Sequence, residues 1–163
     1  MGITVIRKAD WTAAWDSAAG QHCYLRNADV AFSGSSIIHV GPDYTGDADQ
    51  EIDGRDRFVM PGLINIHSHP HHEPAYRGIR EEHGRPEMYD TGLYERMQAF
   101  VLDDEGSKAA AELAYGELLL SGVTTLADLS SMSEWWLDLM ARSGLRGYVA
   151  PGYASARWYM DSL

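Results

Sequence analysis

The chain has 163 residues, 45% of them hydrophobic and 23% charged, a composition that suits a globular protein with a real core. Its 24 acidic and 13 basic residues give a net charge of −11, which argues against a nucleic-acid or anionic-membrane surface, since both need clustered Lys and Arg. Cys23 is the single cysteine, so no intrachain disulfide forms, as fits a reducing compartment.

The segment Met1 to Lys8 lacks the charged start, apolar run and cleavage site of a secretory signal, and Ile6 stands where a myristoylation pattern needs Ser or Thr. No apolar stretch approaches the ~20 residues that span a bilayer. The expected location is the cytoplasm.

Residues 1–60 read as short strands joined by turns. Ile3-Thr4-Val5-Ile6 alternates and is β-branched, as a pleated surface requires. Ala28 to Phe32 and Ile37 to Val40 are two more strands, with Ser33-Gly34-Ser35-Ser36 between them as a hairpin turn. Gly41-Pro42 stops the second, and acidic, aperiodic Tyr44 to Gln50 is a loop. Glu51-Ile52 and Arg57-Phe58-Val59 bracket a further turn at Asp53-Gly54.

From Pro61 the texture changes. Leu63-Ile64-Asn65-Ile66 is a short apolar run, expected to be a strand buried on both faces. A long loop from Pro70 to about Asp103 follows, with a partly helical middle at 88–101. The clearest helix comes next, capped by Asp103 or Asp104, with Ala109, Leu113, Leu118 and Leu119 on its apolar face and Gly122 at its end. Val123 to Asp128 is a strand, Ser133 caps a second helix through Trp135, Trp136, Leu139 and Met140 as far as Gly144, and Arg146 to Ala150 is a third strand. This alternation predicts parallel βα units.

His67 and His69, two apart at a strand end, point to the same side, so both imidazoles converge on one volume. At the mouth of a parallel barrel that volume is the active site, and neutral imidazole is a ligand for zinc, iron or nickel. Taken alone, His-x-His is weak, and a pair of polar loop histidines is the competing reading.

The surroundings add to it. Pro61-Gly62-Leu63-Ile64-Asn65-Ile66-His67-Ser68-His69 resembles the first-strand signature of the amidohydrolase superfamily. Arg77-Gly78, and the run Glu117 to Asp128, resemble its chlorohydrolase, aminohydrolase and cytosine-deaminase-like branch. The resemblance implies an α/β fold: a small β-sandwich segment over 1–60, then over 61–163 about the first three βα units of an incomplete TIM (β/α)8 barrel. A whole barrel takes roughly 250 residues. It further implies a hydrolase acting on non-peptide C–N bonds of a small molecule, by deamination or by amide or ring hydrolysis. One divalent metal, zinc before iron, would be held by His67 and His69. The remaining ligands and proton shuttles would come from later strands beyond Leu163.

Other residues are ambiguous on sequence. His71 and His72 either line the pocket or are polar loop residues, because Pro70 turns the chain away. Arg77 meets either a polar substrate group or a carboxylate such as Glu73. Asp128 reads as structural, bonding its own loop, and Trp135 and Trp136 read as packing residues. Tyr153, Trp158 and Tyr159 follow the third strand and are expected to shape an aromatic pocket.

Three functions compete: part of a competent hydrolase, a non-catalytic β-rich metal-binding module, and a degenerate remnant. The expected partners are a small-molecule substrate and either a second copy or a complementary C-terminal chain, with no nucleic acid and no membrane. Exposed barrel-strand edges predict that the isolated chain is poorly soluble or oligomeric, with little activity.

Overall fold

The computed structural model describes residues 2–77, 101–130 and 133–152. The chain divides into two compact units, Met1–Pro61 and Gly62–Leu163. Among the described residues no helix is long and apolar enough to cross a membrane.

The first unit holds two sheets. One is ordered β5-β4-β1-β6, from β1 (Ile3–Ala9), β4 (Ala28–Ser33), β5 (Ser36–Gly41) and β6 (Gln50–Asp53). The other is β3-β2-β7, from β2 (Trp11–Asp16), β3 (Gln21–Leu25) and β7 (Phe58–Val59). The β4–β5 hairpin lies where its sequence predicts. The strands beside the Asp53-Gly54 turn do not pair with each other, because β6 joins β1 and β7 joins β2, each in parallel.

Sequence reading passed over the β2–β3 hairpin. Alanines dilute the alternation of Trp11, Ala13 and Trp15, although the Asp16 carboxylate accepts the Ala18 and Ala19 N–H groups and so builds the turn.

Buried Asp29 ties this unit together. Its carboxylate accepts the Lys8 and Tyr44 N–H groups at 2.8 and 2.9 Å and pairs with the Arg7 guanidinium at 3.0 Å. Burial pushes the Asp29 carboxyl up, but the bonds from Lys8, Arg7 and Tyr44 together hold it below the ordinary carboxylate range.

The second unit is a βαβαβ arrangement. Parallel strands β8 (Leu63–Ser68), β9 (Val123–Asp128) and β10 (Arg146–Val149) lie in the order β10-β9-β8. Helix α1 (Asp104–Leu120) connects on to β9, and α2 (Trp136–Ser143) joins β9 to β10. The Asp103 side chain caps α1 by accepting the Gly106 N–H. Gly122 and Gly144, at φ +82° and +84°, make the left-handed exits from the two helices.

Three details differ from expectation. The buried face of α1 is Ala110, Ala111, Ala114 and Tyr115, while Leu113 and Leu119 are exposed. The small alanines allow close approach to the sheet, and leucines on both flanks obscured which stripe faces inward. Helix α2 starts at Trp136, with no side-chain cap, and the Ser133 carbonyl rather than its hydroxyl meets the Trp136 N–H. Finally, β8 is not buried on both faces: Ile64 is 67% and Ile66 81% exposed, because no described element packs over the face they share.

The core comprises Ala111, Tyr115, Leu126, Leu139, Met140 and Leu145, with Leu118 and Trp135 packed against it. Ser68, Asp128 and Val149 are register partners, so all three strands end along one edge.

Asp29→Ala is expected to destabilise the first unit by about 2 kcal/mol, since it removes the acceptor of the Lys8 and Tyr44 N–H groups, while Arg7 keeps Glu51 and the Tyr44 carbonyl as partners. Urea unfolding followed by tryptophan fluorescence measures this. The Asp29 contribution is complete above the unfolded carboxyl value of about 3.9 and is lost as pH falls through the lower folded value. Acid sensitivity equal to that of Asp29→Ala would contradict this origin.

Candidate metal centre

At the end of β8, His67 and His69 turn their Nε2 atoms to within 3.1 Å of each other, with ring planes at 69°. The His69 Nδ1 lies 3.1 Å from the Leu129 carbonyl oxygen. A carbonyl only accepts, so Nδ1 carries the proton and the His69 Nε2 keeps its lone pair. Two zinc–imidazole bonds at a tetrahedral angle would set their nitrogens about 3.3 Å apart, close to what these rings present. The donor set fits a divalent ion on one side. Among the described residues no group of three or more His, Cys, Asp or Glu side chains is placed to hold a metal.

The chain after His69 folds back on it. The His72 and Glu73 N–H groups donate to the His69 carbonyl at 3.2 and 3.0 Å, opening the short 3-10 helix Glu73–Tyr76. The Glu73 carboxylate accepts the His69 N–H at 2.8 Å and the Ser68 hydroxyl at 3.1 Å. The sequence offers Glu73 only as a partner for Arg77, since its bond to the His69 N–H depends on how the turn closes.

His72 stacks on His69, with ring centroids 5.2 Å apart, and its Nδ1 lies 2.7 Å from the His71 Nε2. Burial, then the neighbouring His71 and His69, lowers the His72 pKa to about 4; burial, then His69, also lowers that of His71. Both rings are therefore neutral near pH 7.

Arg77 forms an ion pair with Glu117 of α1, not with Glu73, and so ties the 3-10 turn to the helix. Tyr153, Trp158 and Tyr159 lie outside the described residues, as do Gly78 and most of the 88–101 segment.

Behind the histidines, fully buried Asp128 accepts the Tyr115 hydroxyl at 2.6 Å, the Trp136 Nε1–H at 2.9 Å and the Ser130 N–H at 2.9 Å. Burial, then the bond to Asp128, pushes the Tyr115 hydroxyl far above its ordinary pKa, so it remains a donor. The Leu129 N–H in turn donates to the Ser68 carbonyl at 2.9 Å. Asp128 thus fixes the loop whose Leu129 carbonyl orients His69. Asp128 therefore bonds its own loop, and Trp136 is buried beside it.

No protein-family model matches the chain. It is 30% identical to a 5-methylthioadenosine/S-adenosylhomocysteine deaminase of Thermococcus kodakarensis, over 82% of this chain and 31% of that protein. It is 29% identical to a 5'-deoxyadenosine deaminase of Methanosphaera stadtmanae, over 78% of this chain and 30% of that one. Among solved structures, the atrazine chlorohydrolase TrzN of Arthrobacter aurescens TC1, complexed with zinc, superposes with a TM-score of 0.73 at 25% identity, over 91% of this chain and 35% of that one. The chain belongs to the amidohydrolase superfamily and spans about a third of the length of these relatives.

Tyr115→Phe is expected to cost about 2 kcal/mol, the loss of one buried bond to a carboxylate. Equilibrium unfolding measures it, and a change under about 0.5 kcal/mol would contradict the Asp128 network.

Proposed function

We propose that this chain contributes the metal-binding front of a hydrolase that cleaves non-peptide C–N bonds in small molecules, by deamination of an amino-substituted ring. The observation that carries this reading is the convergent His67–His69 pair, with the His69 lone pair freed by the Leu129 carbonyl. The names of the relatives, two of them deaminases of adenosine derivatives, support the reaction class. Met1–Pro61 is then the small β-sandwich segment, and Gly62 onward the opening βα units of a (β/α)8 barrel, with the histidines at its C-terminal mouth.

Zinc is the proposed ion, in keeping with the zinc complex of the chlorohydrolase. When bound, such an ion supplies a water-derived nucleophile at neutral pH. His67 and His69 hold it. His72, half-buried and stacked on His69, contacts the substrate, as do Tyr153 and Trp158. A catalytic zinc takes three protein ligands, so the remaining ligand and the proton-transferring group come from outside the described residues.

Two experiments test the reading. His67→Ala and His69→Ala should each weaken zinc binding by at least about 100-fold in chelator competition, and together abolish it. Ammonia release from 5'-deoxyadenosine or 5-methylthioadenosine should be weak or absent with residues 1–163 alone, for want of the third ligand. In a longer chain carrying this segment, turnover should collapse on His69→Ala. Zinc affinity unchanged in both variants would defeat the proposal.

A further inference from the structure

We infer that Glu73 is a positioning residue for the metal centre, holding the His69 main chain while Leu129 holds its ring. The inference rests on the metal-centre reading above. His69 lies just past the end of β8, where among the described residues no strand partner is in register with it. The Glu73 Oε1 takes that N–H at 2.8 Å, and the Oε2 takes the hydroxyl of Ser68, which is 1% exposed. The Glu73 N–H returns to the His69 carbonyl at 3.0 Å, so one residue clasps both polar groups of the histidine main chain.

With Nδ1–H on Leu129, His69 is fixed at backbone N, backbone O and ring. His67 is held differently. It is exposed, its N–H goes to the Asn65 side chain at 3.0 Å, and among the described residues its ring meets that of His69. The centre therefore has a preformed half, His69, and a half that closes onto the ion, His67. Preorganising one ligand lowers the ordering that binding must impose, and groups that orient a ligating histidine typically account for about 10–100-fold in metal affinity.

Both Glu73 oxygens are engaged by protein donors, so the carboxylate orients the histidine and does not itself ligate. Glutamine tests this distinction. Its amide oxygen can still accept the His69 N–H, and the Ser68 hydroxyl can rotate to accept from its NH2 group, whereas alanine removes both bonds.

The test compares Glu73→Ala, Glu73→Gln and Ser68→Ala by zinc competition and by 15N NMR of the His69 amide and ring. Glu73→Ala should lose about 10–100-fold in zinc affinity. In the metal-free protein it should also shift the His69 amide and speed its hydrogen exchange. Glu73→Gln should stay within about threefold of wild type on both readouts, and Ser68→Ala should fall between.

Equal losses in the Gln and Ala variants would overturn the inference in favour of a direct ligand. A lower melting temperature with unchanged zinc affinity and an unchanged His69 amide would overturn it in favour of a purely structural role. If wild type bound no zinc, the metal-centre reading would fail by itself, while the metal-free NMR comparison would still decide whether Glu73 holds His69.

Discussion

The second unit depends on one buried carboxylate. Asp128 has no access to solvent, yet it accepts three donors: one from α1, one from α2 and one from its own loop. Each donor satisfies part of what would otherwise be a costly desolvated group, and the direction of each bond fixes an element. Tyr115 sets α1 against β9, Trp136 sets the start of α2, and the Ser130 N–H curls the loop so that the Leu129 carbonyl reaches His69. Packing of two helices is thereby converted into the tautomer of an imidazole 60 residues from Leu129 in the chain. The metal binding proposed for His69 would need a lone pair on Nε2, and the Leu129 carbonyl, a main-chain acceptor that no side-chain substitution there removes, leaves one free.

Around that fixed point the site divides into a rigid side and an open one. His69 is bound on the strand side by Leu129 and on the turn side by Glu73, and His72 lies against its ring. His67 is exposed. An arrangement of this kind suits an ion that is completed by further groups. The relatives, about three times as long, have room to provide them. Ile64 and Ile66 of β8 are exposed, and among the described residues that strand has one paired neighbour, β9.

Much of this was legible in the sequence, because the strong signals are local. Pro61-Gly62 before an apolar run, the i,i+2 histidines, the acidic cap at Asp103 and the glycines after each helix all declare themselves within a few residues. What the sequence hid depends on distant partners. Whether Ala111 or Leu113 faces the core turns on how closely α1 approaches β9, and alanine carries little hydrophobic signal of its own. Arg77 could as well have met Glu73 as Glu117, since the choice is made by how the 3-10 turn leans on α1. Glu73 was legible only as a partner for Arg77, for a related reason: its bond is to a backbone N–H, and main-chain acceptors and donors leave no mark in residue identity. The β2–β3 hairpin was lost where alanines blurred a period-two pattern.

The central claim, that His67 and His69 jointly ligate one divalent ion, is tested most directly by zinc K-edge X-ray absorption on the zinc-loaded protein. The account predicts two imidazole nitrogens at about 2.0–2.1 Å, with the remaining scatterers oxygen, and loss of the imidazole signal in the His67→Ala/His69→Ala double variant. An imidazole signal that persists in that variant and instead disappears on replacing His71 and His72 would contradict it.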